Sequence, residues 1–524
     1  MQLSLDQPTA PASSWPAAGT AGPSFGPGLG KASFSPASFR QTGSELPPPE
    51  VISELVTLYY RHIHPWSPLV IHADEVSSGA AFNAHSPSQP SSSTRSSSSP
   101  SVLIHAIVFV TLRFSDHAHF SIHPSTSKSH YAGVAKNTVL MAAMNQMSIA
   151  NLQALTILAL GWVHEEGGPQ RWGGALSLLT GAVSHGRLGE EDRMVEDAWA
   201  AQHPEQRDKI GSRLYHATSQ TSLFKVSTSW QEIEERRRLF WQIFCLDTYA
   251  SLSTGFALSF DADDVHRRLP SRDGAWNMGA AQRFNPLVTE PLPSAADGAE
   301  PVSHYAYYCS IIHILGEVHN FIRAPLLLSS IADTTAWKER YRRLSDQLLA
   351  WYAALPLAIR SVERPDWDAS EGEGGLKMLV LAAYLATSVR LHSAIAYPPV
   401  SSPSFLPSDA AAATCVGASD RMAKLASRIG EHPISRPGTA PGPIDSRDLN
   451  PIFTWFIWIA ARGLVAHAFI KVGLMLAARP TTSSADLLPP RDSVPLYSST
   501  RRSSFSRRST RWAPTGARRV SRSF

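Results

Sequence analysis

Asp261, Asp263, Asp264 and His266 fall within six residues, in the run DADDVHRRLP. Carboxylates and an imidazole so close together could hold a divalent cation. The spacing is not that of a calcium loop, because no Gly stands at the sixth position and no Glu at the twelfth. Clustered aspartates more often build turns and caps through local hydrogen bonds to the backbone, and that is the expected use here. His62, His64 and His72 form a second cluster, with no Cys or carboxylate at a recognised ligand spacing. His164 lies in a run, WVHEEGG, that lacks the second His of a metalloprotease box. GPGLGK at Gly26 lacks the spacing of a phosphate loop, and no strand pattern precedes it. Neither a dinucleotide fingerprint nor a kinase motif set is present, so the residues suited to chemistry do not describe an enzyme. No catalytic, metal-binding or cofactor-binding residue is assigned, and no cofactor is expected in this chain.

The three cysteines, Cys245, Cys309 and Cys415, sit in apolar or Ala-rich helical patterns, and no C-x-x-C occurs. Such sparse usage predicts free, buried thiols in a reducing compartment. The net charge of +4 hides an asymmetry. Residues 477–524 carry ten Arg and two Asp, leaving 37 basic and 41 acidic residues elsewhere, a net of −4. The body is therefore mildly acidic, without the basic face of a nucleic-acid binder. The tail from Tyr497 has eight Arg and no acid. Composition alone allows phosphate contact, nuclear import or regulation by phosphorylation, and a solvated tail of no defined role is the more ordinary reading. The first residues lack the basic and apolar regions of a signal peptide. One long apolar run, from Pro451, is interrupted by Arg462, His467 and Lys471, and reads as a helix buried in a large helical core rather than a membrane span.

The elements that must position these residues are helical. Residues 1–46 are rich in Pro, Gly and Ser and read as disordered, as do a Ser-rich insert at about 77–101 and the tail 479–524. Between them, 47–478 reads as one all-α body. Apolar residues recur at helical spacing from Val51 to before Pro65, in 101–115, 130–144, 149–165 and 171–188, and at about 302–323, 334–355, 374–397, 412–430 and 450–478. A polar stretch, 189–228, reads as a long loop. The strongest helix comes next. Ser229 and Glu232 have the spacing of a capping box, Glu232 with Arg236 and Glu234 with Arg238 stand at i,i+4, and Leu239, Ile243, Leu246 and Ala250 form a stripe beside Phe240 and Phe244.

This last helix and the loop after it, ERRRLFWQIFCLDTYASLSTGFALSFDADDVHRRLP, resemble the signature of the fungal-specific transcription factor domain. This is the middle homology region of zinc binuclear cluster regulators, of the xylanolytic activator type. Arg237, Arg238, Phe240 and Trp241 are similar to its helix start. Asp247 and Tyr249 stand in its middle element, with Thr248 where Arg is usual. Gly255 stands in its turn, and Asp263, Asp264, Leu269 and Pro270 at its acidic, Leu-Pro end. Three further places agree: the first helix with its His-Pro turn, IHAIVFVTLRFS, and the late helix with Ala460, Ala461 and Arg462. The resemblance covers about 47–478, with interruptions.

The resemblance implies a large helical bundle without a catalytic centre, in a nuclear regulator of transcription. Arg237 and Arg238 are expected to pair with the acidic turn at Asp261 to Asp264, so that Arg238→Ala and Asp263→Ala would be less than additive. Relatives usually carry six cysteines holding two zinc ions near the N-terminus, beside a basic segment that contacts DNA. No cysteine precedes Cys245 here. Either the sequence starts late, or the regulator lacks the cluster. DNA is then an indirect partner, or one reached through a missing zinc cluster, and zinc is expected only with that cluster. Other transcription regulators, a small-molecule effector and a second copy of the chain are the remaining partners, and no membrane is expected. The alternative is a helical cofactor or scaffold that binds other regulators.

Overall fold

The computed structural model describes residues 46–70, 99–122, 126–163, 169–186, 224, 230–260, 265, 267–272, 286–293, 302–361, 374–398, 406–430 and 444–477. The expected disordered tails, most of the Ser-rich insert and nearly all of the polar stretch 189–228 lie outside the described residues. So do His72, His164, Ser229, Asp261, Asp263, Asp264 and His266.

Thirteen helices are formed among the described residues: α1 (Pro49–His62), α2 (Ser99–Thr111), α3 (His119–Ile122), α4 (Lys128–Asn145), α5 (Ile149–Val163), α6 (Pro169–Gly186), α7 (Trp230–Thr254), α8 (His304–Arg323), α9 (Ile331–Ala354), α10 (Leu357–Arg360), α11 (Gly374–Ala396), α12 (Asp409–Ala426) and α13 (Ile452–Ala477). The all-α expectation is met in these residues, apart from β1 (Ile429–Gly430) and β2 (Ile444–Asp445), a two-residue parallel pair. α12 stops at Ala426 rather than at 430, because Ile429 and Gly430 pair with β2 instead. α2 begins at Ser99, inside the expected insert. The four-residue helices α3 and α10 were not legible, being about one turn long and showing no periodicity.

Local chemistry sets several helix starts. Pro49 opens α1, where its missing N–H costs nothing. Ser127, Ser303, Ser330 and Ser408 cap α4, α8, α9 and α12, each accepting from a backbone N–H three residues on.

Two groups of helices meet at α7. On one side α2 packs against α1, α4 and α5, and α5 against α6; on the other, α11 contacts α8, α9, α10 and α12. α7 touches α5 and α6 in the first group and α8 in the second, and one apolar core runs through both. The first group is tightly packed: a Cβ added at Gly161 would lie 2.6 Å from the Phe109 ring across the α2–α5 crossing.

His105 on α2 is buried, and burial lowers its pKa from 6.5 to about 4. The folded state thus holds this ring neutral where the unfolded chain would protonate it. Stability from this group is complete above pH 6.5 and is lost as pH falls toward 4. The loss approaches about 3 kcal/mol, the free-energy equivalent of that lowering. Urea midpoints at pH 7 and pH 4 should therefore converge in a His105→Leu variant, relative to the native chain.

α13 departs from the expected buried core helix. Ile452, Phe453, Trp455, Phe456, Ile459 and Ala460 are buried, whereas Arg462, Leu464 and Val465 are exposed. Both α11 and α13 are long and apolar enough to cross a membrane by length and composition, but α11 is 72% buried in the protein and α13 33%. Apolar composition reports a side chain's preference for leaving water, not whether a neighbouring helix is there to receive it. Arg462 and Lys471 also stand within α13, where a charge at mid-bilayer would be costly.

Two units are distinguished, residues 1–468 and 469–524. Of the second, only the helical end of α13, to Ala477, is described.

Candidate functional site

α7 is buried nearly all round, including its charged start. Glu234 and Arg238 are fully buried, and Arg237 is 3% exposed. Buried charges are tolerated only when paired and hydrogen-bonded. Glu234 supplies the pairing. One of its carboxylate oxygens accepts from Arg238 Nε at 3.0 Å and from the Ser271 backbone N–H at 2.8 Å, and the other accepts from Arg237 Nη1. Arg238 then reaches out of its own helix, donating from Nη2 to the Ser271 carbonyl at 2.7 Å and from Nη1 to the Pro68 carbonyl at 3.4 Å. Arg237 lies over the Trp230 ring, 5.2 Å from its centroid.

Trp241 completes the knot. Its indole N–H donates to the Arg268 carbonyl at 2.8 Å, and the ring is fully buried against Phe240 and Phe244. The segment it grips is held from the other side, because Leu269 N–H donates to the Pro286 carbonyl and Ser303 Oγ donates to the Pro270 carbonyl. Leu269 is fully buried. The two ends of the signature are thus two halves of one structure. The arginines and the tryptophan of the helix start bind the backbone of the Leu-Pro end, and Arg238 adds the chain that comes after α1.

The carboxylate these arginines meet in the described residues is Glu234. The expected pairing with Asp261 to Asp264 falls on residues that are not described. By sequence spacing alone, Glu234 and Arg238 are an ordinary i,i+4 pair of a helix surface. Spacing does not reveal their burial, although a helix with no wholly polar face is a sign of it.

The middle of the signature closes the far end of α7. Asp247 accepts from the Ser259 N–H at 2.8 Å, from Ser259 Oγ at 2.6 Å and from the Phe260 N–H at 3.4 Å, folding the adjoining loop back onto the helix. Burial raises the Asp247 pKa, and these three hydrogen bonds oppose the rise. Gly255 has φ of +80° and donates its N–H to the Ser251 carbonyl at 2.8 Å, a left-handed helix cap. A Cβ at Gly255 would meet nothing within 4 Å, so the requirement is conformational. Gly255→Ala is expected to cost about 1–2 kcal/mol, the penalty for that backbone region, and Gly255→Asn less. Urea denaturation of the two variants checks this. Tyr249 is half-buried, edge-on to Trp455 of α13, while Ala460 is buried, Ala461 exposed, and Arg462 lies over Trp458. The late-helix triplet is therefore apart from the knot.

The other candidates resolve into local structure. His62, buried, meets Asp448 at 2.5 Å and fastens α1 to the turn before α13, and His64 faces the Val70 carbonyl at 3.1 Å. Among the described residues no group of three His, Cys, Asp or Glu side chains lies close enough for a metal ion. All three cysteines are free and buried. Burial pushes the Cys309 thiol well up and Cys415 to about 11, far from the ionised form that reacts or ligates. These thiols do not fit a zinc cluster.

Residues 56–353, more than half of the chain, match the family described as the fungal specific transcription factor domain. The chain belongs to that family. The family is one of transcription regulators, and regulation of transcription is the role that membership carries. A relative in Emericella nidulans, named transcription factor AN6788, is 26% identical over 113 residues, covering 22% of this chain and 17% of that protein. A relative in Schizosaccharomyces pombe, named uncharacterized transcriptional regulatory protein C1327.01c, is 24% identical over 331 residues, covering 60% of this chain and 29% of that protein. The chain thus spans less than a third of the length of either relative. No solved structure matches. The α7 knot, with Pro68 and Ser271, lies wholly inside the fungal transcription factor domain as matched.

Proposed function

We propose that the helical body is the regulatory domain of a zinc-cluster-type fungal transcription factor and acts in the nucleus without catalysing a reaction. The observation that carries this reading is the family match over 56–353, within which the buried α7 knot spends its charged groups on holding chain segments together. The spacing from Arg237 to Pro270 supports the xylanolytic activator type. These 524 residues offer no cysteine set that fits a zinc cluster, so DNA contact in this reading comes through a cluster outside them or through a partner regulator. The packing of two helix groups around α7 suits a body that passes a signal between partners bound on either side.

The test is to fuse the chain to an unrelated DNA-binding module and measure transcript from a reporter carrying that module's sites. Reporter output should change several-fold, up or down, against the module alone. Unchanged output with the fused protein present at normal abundance in the nucleus would contradict the reading.

A further inference from the structure

The outward side of α13, within the first unit, is apolar and basic. Trp458, Ala461, Arg462 and Val465 stand at i, i+3, i+4 and i+7, so they share one face, and all four are exposed. Trp458 is 48% and Val465 55% exposed. The other side of the helix is taken, because a Cβ added at Gly463 would lie 3.0 Å from Val389 of α11.

The cations on this face lack counter-charges. Arg462 lies over the Trp458 ring, 4.5 Å from its centroid. Arg390 of α11 lies over Trp455, one turn back, 5.8 Å from its centroid, and donates from Nη2 to His319 Nδ1 at 3.3 Å. Its Nε is buried and has no acceptor. Among the described residues no carboxylate pairs with either arginine. Neither α11 nor α13 contains an Asp or Glu. Burial, with Arg462 close by, lowers the Arg390 pKa from 12.5 to about 10. In a body that is mildly acidic as a whole, this face is positive.

We propose that the Trp458–Val465 face of α13 docks an acidic amphipathic segment of a partner protein, its apolar side chains laid on Trp458 and Val465 and its carboxylates on Arg462 and, behind it, Arg390. Charge complementarity selects this occupant. A second copy of the chain would bring its own acid-free α13 against this one, like charge on like. A lipid headgroup layer would not reach Arg390, which is half-buried, whereas one projecting carboxylate can. Arginine takes a carboxylate two oxygens at a time, and Trp and Arg are the side chains that most often carry binding energy at an interface. The surface stands on its own geometry and does not depend on the role in transcription.

Fluorescence anisotropy with the full chain tests it. The probe is a labelled amphipathic peptide of about 16 residues, some four turns of helix, with Leu on one face and Glu along its edge. It should bind saturably with Kd of about 10–100 μM, the weak range of a small interface. The same peptide with Gln for Glu should bind at least about tenfold more weakly. Arg462→Gln and Trp458→Ala, both at exposed positions, should each weaken the Glu peptide at least about fivefold. Met144→Ala, at an exposed apolar position on α4, should leave its binding unchanged. Vesicles of phosphatidylcholine and phosphatidylserine, about three to one, should not bind saturably. Equal binding of the Glu and Gln peptides, undiminished binding in Arg462→Gln and Trp458→Ala, vesicle binding that Trp458→Ala abolishes, or no saturable peptide binding would overturn the proposal.

Discussion

A Glu234→Ala chain is expected to lose about 3–5 kcal/mol of folding stability, the usual cost of stranding buried charge by removing its partner. In a domain of this size that is a fall in Tm of roughly 5 °C. The size of the effect reflects the groups the carboxylate holds. It faces Arg237 and Arg238, both buried, and it accepts the Ser271 N–H at 2.8 Å. Alanine takes this carboxylate from all three groups at once, at a position shut off from water. Glu234→Gln keeps the shape and an acceptor oxygen but not the charge, and should fall between alanine and the native residue. Thermal melts followed by circular dichroism at neutral pH check both. A Glu234→Ala melt within 2 °C of native would show that the pair is solvated rather than buried.

Trp241→Ala should be comparably severe, about 3–5 kcal/mol, because it empties a fully buried aromatic site. The informative variant is Trp241→Phe. It retains most of the packing against Phe240 and Phe244 but removes the donor to the Arg268 carbonyl, so a loss of about 1–3 kcal/mol is expected. The loss should also be local. Hydrogen exchange at the Leu269 amide, which donates to Pro286, should quicken before exchange in α11 does. Equal acceleration everywhere would mean that Trp241 supports the core in general and not the Leu-Pro segment in particular.

Much of this architecture was legible because helices announce themselves locally. Periodic apolar residues placed most of the long helices closely, and α13 in extent though not in burial. α3 and α10 are too short to show a period, and the β1–β2 pair depends on a contact between residues fifteen apart in sequence. The signature was legible as residues and not as geometry. Glu234 and Arg238 read correctly as an i,i+4 pair, yet the same spacing occurs on solvated helices. Hidden from sequence is the long-range half of the arrangement: Arg238 to the carbonyls of Pro68 and Ser271, and Trp241 to that of Arg268. Backbone carbonyls have no residue identity, so no pattern of side chains could reveal them as partners. Asp247 illustrates the same limit, since its partners are two amides and a serine hydroxyl twelve and thirteen residues away. Leu464 and Val465 of α13 show the reverse failure, where strong apolar character predicted a burial that these residues do not have.

The signature arginines work as a buried structural knot anchored on Glu234. A double-mutant cycle on Glu234→Ala and Arg238→Ala, measured by urea denaturation of the full chain, is the sharpest test of that role. The double variant should lose less than the sum of the single losses, by about 1–3 kcal/mol, as groups in one buried network do. Single losses that add to within about 0.5 kcal/mol would contradict it, because that is how independent sites behave.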